Sequence, residues 1–214
     1  MMEQDAAFVL LGGTINEFPA HIERACSVVA ADSGADTARA RGIPLTAIVG
    51  DLDSVSPETL RHYEAQVPPC EIVHIAEQET NDFEKALRYL SDRWSGEVRI
   101  WGMTGGRFDH TISNFSVMLR YRDRFESLVA IDSFGSHSFL TSVHHSVEIH
   151  RPIGTTVSLM PFGEATGIVT TGFRYPLSGE SLRLGEREGL SNVVVASPAS
   201  ISIEGGALLV SALP

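Results

Sequence analysis

Two aspartates separated by one residue are the first sign of chemistry in this sequence. Asp51 and Asp53 lie in the segment GDLDS (residues 50–54), directly after a short apolar run. In an extended segment, side chains at this spacing project to the same side of the backbone. Their charges repel unless a cation lies between them, and Mg²⁺ binds carboxylates together with water and phosphate oxygens. We therefore predict a Mg²⁺ site here; the alternative is two aspartates that cap the next helix and solvate a turn.

The glycine-rich segment at residues 102–110 is a second candidate site. Gly105 and Gly106 free the backbone to approach a ligand closely, and Arg107 adds a guanidinium at the entrance of a predicted helix. Successive backbone amides in such a turn can hold an anion, and Arg107 and His110 could both donate to it. We predict a phosphate site, with a plain strand-to-helix turn and a surface arginine as the alternative.

The elements that must position these segments alternate along residues 8–132. Unbroken apolar runs, typical of parallel strands buried on both faces, occur at residues 8–11, 27–31, 47–49, 71–75, 98–101 and 128–131. Helical spacing predicts helices at residues 57–65, 82–94 and 110–122, where Asn81 and Glu84 resemble a capping box. Asp82, at the start of the second helix, has an ordinary role there as a carboxylate favoured by the helix dipole.

This pattern predicts an α/β fold with a parallel-sheet, Rossmann-like domain at residues 1–142, with helices on both faces. The carboxyl ends of parallel strands share one edge of the sheet, so the polar segments after four strands should meet there. These segments are residues 31–36, 50–54, 77–82 and 102–110. Leu11-Gly12-Gly13-Thr14 follows the first strand but lacks the lysine and spacing of a P-loop, and no GxGxxG fingerprint occurs.

Residues 143–214 change to short alternating stretches punctuated by glycines. We predict a C-terminal antiparallel β-sandwich domain, with a two-residue hairpin turn at Gly205-Gly206. Residues 134–141 could pair with either sheet.

Composition and net charge argue against several classes of binding partner and site. The 214-residue chain has 16 basic and 27 acidic side chains and a net charge of −11, which argues against binding to nucleic acid or to anionic membranes. The N-terminus shows no basic leader and nothing near the length of a membrane span, so we expect a cytoplasmic protein. Two cysteines outside any CxxC motif indicate neither a disulfide framework nor a zinc site.

Taken in order, these segments resemble the motif series of the thiamine pyrophosphokinase family over nearly the whole chain. The family patterns are ADGGA, GDxDS, QDxTDFxKAL and GGRxDH, followed in a smaller domain by G-[LF]-K-[YW]-P-L and an S-N pair. The matching segments are residues 31–35, 50–54, 78–87, 105–110, 172–177 and 191–192. The departures from these patterns are Ser33, Glu79, Asn81 and Arg174. They concern nucleotide or substrate contacts more than metal chemistry, since Asp51, Asp53 and Asp82 are kept.

The resemblance implies a kinase-type transferase, dependent on Mg²⁺ and ATP, that moves the diphosphate of ATP to the hydroxyl of thiamine and releases AMP. It implies a homodimer with shared active sites. Asp51, Asp53 and Asp82 would hold Mg²⁺, and one of them would accept the hydroxyl proton. The implied ATP-binding residues are Asp32, Ser33, Gly34, Thr104, Gly105, Gly106, Arg107, Asp109 and His110. The implied thiamine-binding residues are Gln78, Tyr175, Ser191 and Asn192, with Tyr175 stacked on the pyrimidine ring.

Two other functions fit the same residues. One is a related pyrophosphokinase acting on another small alcohol, such as a hydroxymethylpterin, which would use the same Asp51/Asp53 site. The other is a non-catalytic nucleotide- or thiamine-binding protein, against which the retention of all three acidic positions argues.

Overall fold

The structure is a computed structural model that describes residues 6–18, 22 and 25–214. The chain divides into two compact units, Met1–Asp132 and Ser133–Pro214. This division comes earlier than the predicted boundary between residues 142 and 143. The cause is β-strand pairing: Gly135–Leu140 pairs antiparallel with Gly205–Ala212 near the C-terminus, so residues 135–140 join the sheet of the second unit.

Six parallel strands form the sheet in the described part of the first unit. They are β1 (Ala6–Leu10), β2 (Ser27–Ala31), β3 (Ala47–Gly50), β4 (Glu71–His74), β5 (Glu97–Trp101) and β6 (Ser127–Asp132), in the spatial order β4-β3-β2-β1-β5-β6. Every residue of β1 and β3 is buried. Because successive side chains of a strand point to opposite faces, both faces of the sheet are covered, as the unbroken apolar runs predicted.

Four α-helices lie among the described residues of this unit. They are α1 (Gly34–Ala40), α2 (Pro57–Glu64), α3 (Asp82–Ser91) and α4 (Phe108–Tyr121). α2 and α3 begin at caps expected from the sequence, because Ser56 Oγ accepts from Thr59 N and Asn81 Oδ1 accepts from Glu84 N. α1 was not predicted, since seven residues are too few to show a helical period.

The second unit contains seven strands joined by antiparallel pairing. They are β7 (Gly135–Leu140), β8 (Ser146–Ile149), β9 (Thr156–Thr171), β10 (Ser178–Arg183), β11 (Gly189–Val193), β12 (Ala199–Ser202) and β13 (Gly205–Ala212). β9 is the centre of the unit, because β10, β11, β12 and β13 all pair with it. Its inward residues, including Val157, Leu159 and Ile168, form the core of this unit.

The predicted hairpin at Gly205-Gly206 is wrong. β12 pairs with residues 169–171 of β9 and β13 with residues 157–166, so the two strands follow each other along one neighbour. Gly206 lies inside β13 with a φ of +84°, and a Cβ there would overlap the carbonyl oxygen of Glu164. This glycine therefore permits a close backbone approach and does not form a turn.

The described helices include none that is both long and apolar enough to cross a bilayer.

Candidate functional site

A cleft of about 260 Å³ opens at the strand ends of the first unit. Residues following five strands, β1 to β5, line it, including Gly13, Asp32, Ser54, Asp82 and Arg107. The sequence predicted such a meeting point for the segments after β2, β3, β4 and β5. The fifth contribution, from the segment after β1, had no recognisable motif of its own.

The floor of the cleft is formed by two loops in direct backbone contact. Gly13 N donates to Gly102 O over 3.0 Å, and Thr14 N donates to Thr104 O over 2.9 Å. A Cβ at Gly13 would overlap both carbonyl oxygens, so only glycine fits between the loops. The Thr104 side chain also has a partner within the protein, because its Oγ1 donates to Asp132 Oδ2 over 2.6 Å.

Three carboxylates form an acidic cluster at this edge of the sheet. Asp32, Asp51 and Asp53 each offer an oxygen, and these oxygens lie within 4.8 Å of one another. Asp32 is buried, Asp51 is intermediate and Asp53 is exposed. Carboxylates converging at this spacing suit a hard divalent cation such as Mg²⁺, which neutralises their mutual repulsion.

Asp32 is the most constrained member of the acidic cluster. Its side chain is 4% exposed, its φ is +42°, and within the described part of the chain no donor reaches Oδ1. Burial raises the pKa of the Asp32 carboxyl, and the nearby charge of Asp82 adds to the effect. Ser33 N and the Ser54 hydroxyl donate to this carboxylate, so Oδ1 is the oxygen left without a donor. A buried carboxylate oxygen without a donor, on a left-handed backbone, is costly, which is typical of a group that binds a ligand.

Asp51 and Asp82 are held together by a buried lysine. Lys85 is 1% exposed, and its Nζ lies 3.1 Å from Asp82 Oδ1 and 3.7 Å from Asp51 Oδ2. Gln78 Nε2 also donates to Asp51 Oδ2 over 2.8 Å, and this hydrogen bond lowers the pKa of Asp51. Lys85 thus places a buried positive charge beside Asp51 and Asp82. The sequence signal for it was a lysine three residues after Asp82 at the start of α3.

The geometry changes the expected grouping of the aspartates. The predicted metal set was Asp51, Asp53 and Asp82, whereas the three carboxylates that converge include Asp32 in place of Asp82. Asp82 lines the cleft and accepts from Asp51 N over 3.3 Å. Asp32 could have been found from sequence, since it follows β2 and must reach the same sheet edge as Asp51.

The N-terminal end of α4 borders the cleft. Its N-cap is Arg107, which makes no side-chain cap hydrogen bond. His110 N donates to the Asp109 carboxylate, so the N–H groups that the described residues leave without an acceptor in this turn are those of Phe108 and Asp109. Arg107, His110 and Gly106 line the cleft beside these groups. Arg107 is paired with Asp109 over 2.6 Å, and this hydrogen bond lowers the pKa of Asp109 to about 2.

Comparison with known proteins identifies the family. A family model described as "Thiamin pyrophosphokinase, catalytic domain" matches residues 18–130, more than half of the chain. The chain belongs to the thiamine pyrophosphokinase family. A second model, "Thiamin pyrophosphokinase, vitamin B1 binding domain", matches residues 144–208. The family predicted from the motif series is therefore confirmed.

Individual thiamine pyrophosphokinases show the extent of the similarity. "Thiamine pyrophosphokinase" of Bacillus subtilis is 27% identical over 182 residues, covering 85% of this chain and 84% of the relative. "Thiamine pyrophosphokinase 1" of Oryza sativa subsp. japonica is 32% identical over 158 residues, covering 69% of this chain and 58% of the relative. The solved thiamine pyrophosphokinase of Bacillus subtilis superposes with a TM-score of 0.82 at 24% identity, covering 98% of both chains. At this identity the structural similarity concerns the fold alone.

The positions that depart from the thiamine pyrophosphokinase motifs lie around the cleft or on exposed loops. Ser33 lines the cleft, and a Cβ at Gly12 would overlap its hydroxyl. Asn81 caps α3 and donates to Ser113 Oγ over 3.2 Å, which joins the loop after β4 to α4. Glu79 and Arg174 are exposed. None of these four departures is a member of the acidic cluster.

The predicted thiamine-binding residues of the second unit differ in accessibility. The Tyr175 side chain is 65% exposed, Ser191 is exposed with a φ of +57°, and Asn192 is only 8% exposed. Tyr175 and Ser191 can therefore meet a ligand directly. Asn192 is directed into the protein. Of the two aromatic residues that flank the glycine-rich segment, Phe108 is 78% exposed, whereas Trp101 is buried and stacks on Phe8 with ring centroids 5.2 Å apart.

Proposed function

We propose that this protein is a Mg²⁺-dependent thiamine diphosphokinase that transfers the diphosphate of ATP to thiamine and releases AMP. The observation that carries the proposal is the acidic cluster, Asp32, Asp51 and Asp53, beside a glycine-lined cleft that ends at the uncapped start of α4. The proposal includes a cytoplasmic homodimer with shared active sites. In it, the first unit is the Rossmann-like ATP-binding part and the second the thiamine-binding β-sandwich.

The acidic cluster fits Mg²⁺ by its ligand chemistry. It offers three hard oxygen donors, and one of them, Asp32 Oδ1, is buried without a partner among the described residues. Asp32, Asp51 and Asp53 would hold the ion. When bound, Mg²⁺ supplies charge neutralisation for the phosphate oxygens of ATP. The positive charge of the buried Lys85 forms an ion pair with Asp51 and helps to hold this carboxylate in the acidic cluster.

The remaining residues orient the reactants. The backbone N–H groups at the start of α4, with Arg107 and His110, bind phosphate oxygens of ATP. The thiamine hydroxyl oxygen attacks the β-phosphorus, the bond from that phosphorus to the oxygen bridging to the α-phosphate breaks, and AMP leaves. Asp82 is the candidate acceptor of the hydroxyl proton, because its contacts with Asp51 and Lys85 both involve Oδ1 and leave Oδ2 for the substrate.

The experiment that tests this function is an assay of nucleotide products. With ATP, Mg²⁺ and thiamine, we expect AMP and thiamine diphosphate to form in equal amounts, measured by chromatography. ADP as the main nucleotide, or turnover with a hydroxymethylpterin but not with thiamine, would contradict the proposal.

Gly106 offers a test of the ATP site that spares the fold. Apart from residues 105 and 107, no atom of the described residues lies within 4 Å of a Cβ built at Gly106, and this glycine lines the cleft. We expect Gly106→Ala to leave the melting temperature within about 1 °C but to raise the KM for ATP about five-fold or more, because the methyl group occupies ligand space. The KM for thiamine should not change.

Gly105→Ala is the matched control. Gly105 has a φ of +82°, and its added Cβ would overlap the Thr14 side chain, so this variant should lose stability. A Gly106→Ala enzyme with an unchanged KM for ATP would place the nucleotide elsewhere.

A further inference from the structure

The side chain of Asn192 forms hydrogen bonds with the backbone of Tyr175. Its Oδ1 accepts from Tyr175 N over 3.1 Å, and its Nδ2 donates to Tyr175 O over 2.7 Å. Oδ1 also accepts from Val193 N over 2.9 Å. One buried amide thus satisfies both backbone polar groups of Tyr175, as a paired strand would.

The backbone on both sides of Tyr175 is fixed as well. Arg174 N donates to Val193 O over 2.9 Å, and Leu177 N donates to Thr170 Oγ1 over 2.8 Å. Pro176 has no N–H and restricts the preceding residue to extended conformations. Asn192 therefore completes a continuous set of restraints from residue 174 to residue 177.

The ring of Tyr175 is presented to solvent on this rigid support. Its side chain is 65% exposed, in contrast to the buried Asn192 that holds its backbone. An exposed aromatic ring on a mobile loop pays an ordering cost when it stacks on a ligand, and a fixed backbone removes part of that cost beforehand. The exposed Tyr175 ring is therefore held in position to stack on a ligand.

We infer that Asn192 is a positioning residue that acts on thiamine binding through Tyr175, and that Ser191 is the member of this pair that can contact the ligand. Ser191 is exposed, and its backbone N donates to Ser158 Oγ over 3.0 Å. Its left-handed backbone, with a φ of +57°, lies directly before the inward-facing Asn192. The inference rests on the proposed function in one respect, that Tyr175 stacks on thiamine.

A double-mutant cycle on the full-length protein tests the inference. We expect Asn192→Ala to raise the KM for thiamine about five-fold while kcat and the KM for ATP stay within about two-fold. Tyr175→Ala should raise the KM for thiamine at least as much. The double variant should match Tyr175→Ala within about two-fold, because Asn192 acts through the same ring. Ser200→Ala, which removes a surface hydroxyl pair with Thr171, is the control and should change neither constant.

Backbone amide hydrogen exchange gives a readout that does not need activity. Asn192→Ala should accelerate exchange in the peptide at residues 173–178 by about ten-fold relative to wild type, with little change in the first unit. Asn192→Asp keeps an acceptor for Tyr175 N but sets a carboxylate oxygen against Tyr175 O, so it should accelerate exchange at least as much. Both variants remove the donor to Tyr175 O, so either one that folds decides the test.

The outcomes separate the inference from the proposed function. Effects of the two alanine substitutions that multiply in the double variant would show that Asn192 contacts thiamine directly and would overturn the inference. So would unchanged exchange at residues 173–178. A wild-type protein with no thiamine-dependent turnover would contradict the proposed function, while the exchange experiment would still decide whether Asn192 holds Tyr175.

Discussion

Asp53→Asn is expected to lower the rate of thiamine diphosphate formation by at least about a hundred-fold. Asp53 is the exposed member of the acidic cluster, and its carboxylate accepts from Ser54 Oγ over 2.7 Å. Replacing it with an amide removes one negative charge from the set of oxygens that would hold Mg²⁺. Because the side chain is exposed, the melting temperature should stay within about 1 °C of wild type.

The matched control is Asp92→Asn, the same chemical change at an exposed aspartate at the end of α3. It should retain full activity. Initial rates measured over a range of Mg²⁺ concentrations distinguish weakened metal binding from a lost fold. A near-normal rate of Asp53→Asn at saturating Mg²⁺ would mean that this aspartate only solvates the turn.

Asp32→Asn is expected to change activity and stability in opposite directions. Activity should fall by at least about a hundred-fold, because the buried oxygen of the acidic cluster loses its charge. Stability without Mg²⁺ should rise, because a negative charge that is buried near Asp82 and Asp51 is replaced by a neutral amide. A gain of about 1 kcal/mol would raise the melting temperature by about 2–4 °C in a chain of this size. Asparagine also tolerates the left-handed backbone at this position, with its φ of +42°.

The pH dependence of this gain follows from the direction of the pKa shift. The folded pKa of Asp32 is raised above its ordinary value of 3.8, so the ionised group lowers stability at neutral pH. That loss is relieved as the pH falls through the raised folded pKa. The extra stability of Asp32→Asn should therefore be full at pH 7 and absent below pH 3.8.

Thermal unfolding with a chelator, and again with excess Mg²⁺, measures these effects. Mg²⁺ should stabilise the wild-type protein and have little effect on Asp32→Asn. Asp53→Asn is the internal comparison, since it should lose activity without the gain in stability. A destabilised Asp32→Asn protein would show that the hydrogen bonds from Ser33 and Ser54 outweigh the cost of the buried charge, which would contradict this prediction.

The α/β part of the fold could be predicted because its central strands β1, β2 and β3 are buried on both faces. Unbroken apolar runs such as residues 27–31 and 47–49 have few structural alternatives, and the caps at Ser56 and Asn81 fixed two helix starts. The second unit was less predictable. A glycine pair marks either a turn or a close backbone approach, and at Gly205-Gly206 only the pairing of β13 with β9 distinguishes the two.

The candidate site was predictable to the level of the sheet edge. The rule that ligands gather beyond the strand ends brought the right segments together, including Asp51, Asp53 and Asp82. It could not assign partners within the edge. Whether Asp32 or Asp82 completes the acidic cluster depends on the left-handed backbone at Asp32 and on the buried Lys85 beside Asp82. The left-handed backbone at Asp32 has no sequence signature, and a lysine three residues after Asp82 does not by itself indicate that its side chain is buried.

ATP labelled with radioactive phosphorus at the β position tests most directly whether the thiamine hydroxyl attacks the β-phosphorus. After a single turnover with Mg²⁺ and thiamine, we expect the label in thiamine diphosphate and none in the AMP released. Label recovered in ADP, with thiamine carrying at most one unlabelled phosphate, would show attack at the γ-phosphorus and would contradict the account.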